Sequence, residues 1–404
     1  MKKYYIHTLG CKVNQYESQL ISEKFKSDNF EQVQKPQKAD IIIVNSCTVT
    51  AKADKKCKYF LKKITKLQNN PKVLLTGCIV KNKSVNMKDT LQNIKIITDK
   101  TKLFKKQTVL GLDGHSRAFL KIQDGCNNFC SYCIVPYVRN FLWSKSEEEV
   151  LIETKNLAQN GYSEIVLTGI NIGEYSYGIS NLIKKIIKIP LKFRIRISSI
   201  ELNKIDDKLI ELMQKNPEKI CHHLHIPLQS GSNEILRRMN RQYLTEDFET
   251  KINKIIQFLP KLTLTTDIIT GFPGETKKNH KETCDFIKKI PFVKFHIFKY
   301  SNRYITKSST FKNKISYDEI KSRSKELFEI NYKKKTDFLN KNIGLIKKAV
   351  KIGNDKALTD NYITTKLLAK CKTNKDTSNI MLPKKNNRYQ DSIFDIKITK
   401  SSTI

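Results

Sequence analysis

No apolar run in the 404 residues is long enough to cross a bilayer, so no membrane span is expected. The opening MKKYYIHTLGC moves straight into a strand-like stretch, and no signal peptide is expected either. Without export, the ten cysteines belong in a reducing cytoplasm, where they stay free for metal rather than pairing as disulfides. Acidic side chains are scarce, 39 against 75 basic ones, for a net charge of +36. Phosphates are the usual partner of so basic a surface. A low-GC genome yields a Lys-, Asn- and Ile-rich chain unaided, however, so the charge alone is weak support. Arginine is the rarer basic residue, ten in all, and most of it falls in motif-like segments: Arg139, Arg194, Arg196, Arg237, Arg238, Arg241 and Arg303. Against that Lys bias, Arg is expected where a planar, bidentate fork must meet phosphate or carboxylate.

What is present is led by Cys126, Cys130 and Cys133, spaced Cys-x3-Cys-x2-Cys in LKIQDGCNNFCSYCIVPYVR. A zinc knuckle would need a second nearby cysteine pair, which the sequence does not supply. Unrelated thiols are the other alternative. Three thiolates from one loop can instead hold three irons of a four-iron cluster and leave the fourth open. With Tyr132 just before its last cysteine, the triplet resembles the signature of the radical S-adenosylmethionine superfamily. That resemblance implies an open iron binding S-adenosylmethionine and reducing its sulfonium to a deoxyadenosyl radical.

Along the chain, YYIHTLGC, ADIIIVNSC and KVLLTGC each read as a short strand ending in a cysteine, with helical stretches at roughly 15–27 and 51–69. Alternating strands and helices predict an α/β fold with an N-terminal doubly wound parallel sheet. Loops at the carboxyl ends of such strands converge, so Cys11, Cys47 and Cys78 are expected to meet and hold a second cluster. The alternative is three inert core thiols. A linker over 100–116 follows. Six further strand-like runs, AFLKIQ, EIVLTG, FRIRISS, HHLHIPL, LTLTTDIIT and VKFHIFKY, alternate with amphipathic stretches near 146–160, 179–189, 205–215, 232–258 and 277–290. They predict an open, partial (β/α)6 barrel with its chemistry at the carboxyl ends of the strands. Residues 343–404 contain no Glu and alternate polar with apolar positions, as in LIKKAVKI and YITTKLL. They read as a small antiparallel β module of an RNA-binding kind, or else as a solvated tail.

TLGCKVNQYES (8–18), VNSCTVTAKAD (44–54), TGC (76–78), the cysteine triplet, HIPLQSGSNEILRRMNRQY (225–243) and ITGFPGET (269–276) together resemble the methylthiotransferase family across nearly the whole chain. Lys12-Val13-Asn14 is similar to the branch acting on threonylcarbamoyladenosine in tRNA rather than to the isopentenyladenosine or ribosomal-protein branches. The resemblance implies a methylthiotransferase domain over 1–105, a radical S-adenosylmethionine domain over 112–335 and a TRAM-like RNA-binding domain over 340–404. It implies two [4Fe-4S] clusters, one on Cys126, Cys130 and Cys133 and an auxiliary one on Cys11, Cys47 and Cys78 that carries the sulfur. Implied partners are the anticodon stem-loop of tRNA, an electron donor such as flavodoxin or ferredoxin, and a sulfur-supply system. Carbon 2 of adenine is unactivated, which is why radical chemistry is called for.

Cofactor contacts are expected at Tyr132, Gly169, Glu174, Ser199, Glu201 and Gln229, which stand in the triplet or after the second, third and fourth barrel strands. Gly271 to Gly274 offer backbone for close approach of a nucleoside, or a simple turn. His222, His223 and His225 read as surface or core residues, and Cys57, Cys221, Cys284 and Cys371 as packing. Two segments depart from the family pattern: Asn140-Phe141-Leu142-Trp143, and Tyr300 to Thr306 around Arg303. Both are expected at the substrate, with RNA affinity rather than cluster assembly affected. Other targets in the family, or a catalytically impaired iron–sulfur RNA-binding protein, are the competing functions.

Overall fold

The computed structural model describes residues 1–82, 94–104, 108–111, 117–353, 355–367 and 393–399. The chain begins with β1 (Lys3–Thr8), α1 (Lys12–Ser27), β2 (Glu31–Gln32), β3 (Ile41–Ser46), α2 (Ala51–Ile64), β4 (Lys72–Gly77) and β5 (Ile94–Ile96). Then come β6 (Ala118–Lys121), β7 (Gln123–Asp124), α3 (Val135–Val138), β8 (Trp143–Ser144), α4 (Glu147–Gln159), β9 (Glu164–Thr168), α5 (Ile179–Ile186), β10 (Arg194–Ile197) and α6 (Asp207–Lys215). Next are β11 (His223–His225), α7 (Asn233–Arg238), α8 (Thr245–Phe258), β12 (Thr263–Thr270), α9 (Lys277–Lys289) and β13 (Phe292–Lys299). Last are α10 (Tyr317–Asn342), β14 (Ile346–Lys351), β15 (Lys356–Thr359), β16 (Thr364–Lys366) and β17 (Phe394–Lys397).

Two compact units result. The first gathers three separate segments, Met1–Val109, Gln123–Ser144 and Ser301–Phe311. Its five strands form one parallel sheet in the order β2-β1-β3-β4-β5. Ile42, Val44, Val73 and Leu75 bury their side chains against Cys57, Leu61 and Ile64 of α2. Ile43 and Leu74, which alternate with them, are buried as well, and burial on both sides of the strands explains their unbroken apolar runs. The triplet loop is fenced by a two-stranded ribbon, β7 against β8, and Ser308 N donates to Ser131 O at 2.7 Å.

The second unit, Leu110–Ile122, Lys145–Tyr300 and Lys312–Ile404, contains the barrel strands. Two parallel sheets, β10-β9-β6 and β11-β12-β13, are joined by parallel bridges Ile195 to Ile220 and Ser199 to His225. Six strands in that sequence make the open (β/α)6 partial barrel. The C-terminal module is antiparallel, in the order β16-β15-β14-β17. Arg194 and Arg196 of β10 fasten it to the barrel by donating to the carbonyls of Lys348, Leu358, Thr359 and Asp360 at 2.8–3.2 Å.

Two elements differ from their sequence pattern. The stretch 232–258 is two helices, because Asn240 turns left-handed (φ 58°) and Arg241 N reaches back to Leu236 O at 2.9 Å. This is a Schellman-type stop. The 26-residue α10 goes unmarked in the pattern because it buries only Arg323, Ser324, Leu327 and Asn342, leaving no apolar stripe to read.

Candidate active site

Each of the first three cysteines stands just past a parallel strand. Cys11 is the N-cap of α1, Cys47 follows β3 and Cys78 follows β4. Two glycines make room. Gly10 (φ 107°) lies so close to Cys47 that an added Cβ would sit 2.7 Å from its Cβ and 3.1 Å from its Sγ. Gly77 (φ 96°) is pressed against the Ser46 backbone. Both positions demand a left-handed backbone with no side chain.

Asn14, almost wholly buried, ties these ends together: its Nδ2 donates to Leu9 O at 2.7 Å and Ser46 O at 2.9 Å. Asn45 Nδ2 returns a bond to Asn14 O at 2.9 Å, and Ser46 Oγ donates to Thr76 O at 2.5 Å. Burial lifts the Cys47 thiol to about 11, and the Cys78 and Cys11 sulfurs beside it push the same way. A thiol so raised gains its proton easily and becomes a thiolate only with compensating charge, such as metal.

The triplet loop belongs to the same compact unit. Gln123 Nε2 donates to the carbonyls of Asp124 and Gly125 at 3.0 and 2.8 Å, Phe129 is left-handed (φ 43°), and Cys133 N donates to Cys130 O at 2.9 Å. Cys130 is buried, while Cys126, Cys133 and Tyr132 are half-buried. Ile134 and Val138, just beyond the triplet, pack on Cys78.

Arg139 links Cys78 to Asp124, which stands two residues before the triplet's first cysteine. Its Nη1 donates to both Asp124 carboxylate oxygens at 2.7 and 2.8 Å and to Glu17 Oε1 at 3.1 Å. Its Nη2 donates to Asn14 Oδ1 at 2.6 Å and Glu17 Oε2 at 3.1 Å, and its Nε to Cys78 Sγ at 3.3 Å. Burial alone would lower its pKa, but Glu17, Cys78 and Asp124 outweigh that and keep it charged. A buried guanidinium donating to a cysteine sulfur is the compensation a metal-bound thiolate needs, so the donor set fits an iron–sulfur cluster.

In the barrel unit the other predicted residues stand at strand ends. Gly169 follows β9, and Glu174 pairs with Lys204 at 2.9 Å. Ser199 is exposed beside the bridge to His225, and Glu201 is ion-paired with Arg241. Arg241 Nε also donates to Tyr243 Oη at 3.0 Å, and Tyr243 Oη donates to Pro227 O at 2.7 Å, so the loops after β10 and β11 are held together. Gln229, buried and left-handed (φ 73°), bridges Ile268 of β12.

His225 bonds Thr265 Oγ1 at 2.9 Å and Asp267 at 3.2 Å, while His296 Nδ1 meets the same Asp267 oxygen at 3.0 Å. Burial raises the Asp267 carboxyl, but the two imidazoles outweigh it and hold it well below the ordinary range. Asp267 and His296 carry no motif of their own; an acid in the middle of the apolar LTLTTDIIT run is the one signal the sequence offers for this cluster.

Packing decides two expectations. Arg303 turns inward from its loop: it is buried, with Nη2 on Asp54 Oδ2 at 2.7 Å and Thr48 Oγ1 at 2.8 Å, because buried Asp54 needs a cation. Gly271 and Gly274 pack against Ile320 and the Arg238 guanidinium, and their N–H groups donate to Glu275 Oε2 and Asn313 O, so both act as left-handed turn glycines. Trp143 is half-buried in β8, paired with Asp124, while Phe141 and Leu142 are exposed. Cys57, Cys221 and Cys284 are buried thiols pushed up to about 12 by burial, as inert packing residues should be; Cys371 lies outside the described residues.

Two families match: the radical SAM superfamily over residues 120–287 and the uncharacterized protein family UPF0004 over residues 3–99. The threonylcarbamoyladenosine tRNA methylthiotransferase MtaB of Aquifex aeolicus is 35% identical over 90% of this chain and 96% of its own length. That of Bacillus subtilis is 36% identical over 76% of each. In fold, the chain resembles the radical S-adenosylmethionine methyltransferase TsrM of Kitasatospora setae, with TM-score 0.56 at 12% identity over 76% of this chain and 77% of that one. No helix among the described residues is long and apolar enough to cross a membrane. With its strand-end cysteines, its Cys-x3-Cys-x2-Cys loop and this span of similarity, the chain belongs to the radical S-adenosylmethionine methylthiotransferase family, in the branch of the threonylcarbamoyladenosine tRNA enzymes.

Proposed function

We propose that the protein inserts a methylthio group at carbon 2 of N6-threonylcarbamoyladenosine beside the tRNA anticodon, giving 2-methylthio-N6-threonylcarbamoyladenosine. The observation that supports this reading is one buried guanidinium, Arg139, which donates to Cys78 of the strand-end set and to Asp124, two residues before the triplet's first cysteine. In this reading Cys126, Cys130 and Cys133 hold the cluster that meets S-adenosylmethionine, and Cys11, Cys47 and Cys78 hold an auxiliary one. When bound, the two groups supply an electron to the sulfonium and a sulfur for transfer.

The chain's own residues do the rest. Gly10 clears space at the Cys47 sulfur, Asn14 ties the ends of β1 and β3, and Ser46 Oγ ties β3 to Thr76 of β4. Tyr132, Gly169, Glu174, Ser199, Glu201 and Gln229 are assigned to S-adenosylmethionine, with the Arg241 to Glu201 ion pair holding one of these loops in place. The +36 charge favours the anticodon stem-loop through its phosphates. The domain division at 1–105, 112–335 and 340–404, a cytoplasmic setting, a flavodoxin- or ferredoxin-type reductant and an external sulfur supply complete the proposal.

The test is mass spectrometry of tRNA nucleosides from cells with and without the gene. Loss of the 2-methylthio form with accumulation of its unmodified precursor is expected. An unchanged 2-methylthio level would refute the assignment, and a change confined to isopentenyladenosine derivatives would move it to the other tRNA branch. Anaerobic reconstitution should give about eight irons per chain.

A further inference from the structure

We infer that Arg139 sets the reduction potential of the cluster held by Cys11, Cys47 and Cys78, acting as a positioning and charge-compensating residue. The inference rests on the ligand assignment proposed above. Three features of Arg139 carry it. The residue is buried, so water screens its charge little. Its Nε donates directly to Cys78 Sγ at 3.3 Å. Its remaining donors are fixed by Asp124, Glu17 and Asn14, so the guanidinium cannot swing away.

Hydrogen bonds to the sulfurs and local charge are the levers by which a protein tunes such a group. Reduction adds one negative charge, which a fixed cation and an N–H to sulfur both favour. Arg139 therefore raises the potential. Glu17, fully buried on the far side of the same guanidinium, works against it. Because Asp124 leads into the triplet loop, the fork also holds that loop against Cys78. An Arg serves better than a Lys here because five donors are needed in one plane, toward four different residues.

The experiment is a redox titration of the anaerobically reconstituted full-length protein, followed by electron paramagnetic resonance with and without S-adenosylmethionine. The signal that changes on adding S-adenosylmethionine reports the triplet; the other reports the strand-end cysteines. In Arg139→Gln the second signal should move to more negative potential by at least tenfold in the reduction equilibrium, about 59 mV for one electron. Glu17→Gln should move it the opposite way, and Arg139→Lys, which keeps charge but not the fork, should shift less than Arg139→Gln.

Iron content is measured on every sample. If Arg139→Gln and Glu17→Gln both keep full iron and the wild-type potential, the inference is overturned and the ligand assignment stands. If the wild type holds about four irons and shows only the responsive signal, the ligand assignment itself fails. Should Arg139→Gln lose its iron, Glu17→Gln decides alone: a positive shift supports the inference, and none overturns it.

Discussion

Arginine shows how much a residue type can declare by being rare. Its scarcity marks positions where a fork matters, and Arg139, Arg194, Arg196, Arg241 and Arg303 all sit on carboxylates. Scarcity does not say whose carboxylates. They are the protein's own, because acids buried in so basic a chain each find a cation, and only folding decides which. The cysteines are more legible: position after a strand implies convergence, and Asn14 holds the first two of those strand ends together. Gly10 is invisible to such a reading, since its role depends on a neighbour 37 positions away, Cys47. Gly10→Ala should therefore be selective. The added methyl collides with Cys47, so reconstituted protein should fall from about eight to about four irons while its response to S-adenosylmethionine persists. Retention of full iron would show that Cys47 can give way.

At the scale of elements, period and strand-end rules find all six barrel strands, because each is a short apolar run bounded by polar turns. They do not find α10, whose contact with the barrel uses few apolar side chains, nor the break at Asn240, which a helical pattern spans unchanged. Nor do they find what joins the C-terminal module to the barrel. That joint depends on Glu164 of β9, a fully buried carboxylate shared by Arg117, Arg194 and Arg196 at 2.8–3.2 Å. Burial pushes the Glu164 carboxyl up, but the guanidiniums outweigh it and keep it ionised. Glu164→Gln leaves those cations buried against a neutral amide. Such a loss costs about 3–5 kcal/mol, and urea or thermal unfolding should read it as a clear loss of stability. A variant within about 1 kcal/mol of wild type would mean the module is held mainly by other contacts, such as Tyr362 stacked on His223 at 4.1 Å.

For the whole molecule, charge shapes stability as well as partners. Lys294 of β13 lies under the Tyr362 ring at 4.4 Å, and burial, with Lys335 and Arg196 nearby, pulls its ammonium down to about 8. Unfolded, the same group titrates near 10.4. Between about pH 8 and 10.4 the unfolded chain binds more protons, so stability rises with pH there, and below pH 8 the burial penalty is present in full. Lys294→Met should accordingly stabilise the protein at pH 7 by about 1–2 kcal/mol, net of about 1 kcal/mol for the lost cation–π contact. The gain should vanish by about pH 10.5. Thermal unfolding at both pH values checks this; equal gains at each would show that packing, not charge, is responsible.

The first compact unit is drawn from three stretches of chain, and the last of them supplies Arg303 to Asp54 and Ser308 to Ser131. All six cluster-type cysteines leave the ribosome before that closing stretch. At about 5–20 residues per second the delay is on the order of 10–30 s. During that interval the nascent thiols stand in loops whose final clasp has not yet been made. The order of the gene, rather than any single residue, thus sets when this unit can be completed: its last stretch follows its second by more than 150 residues.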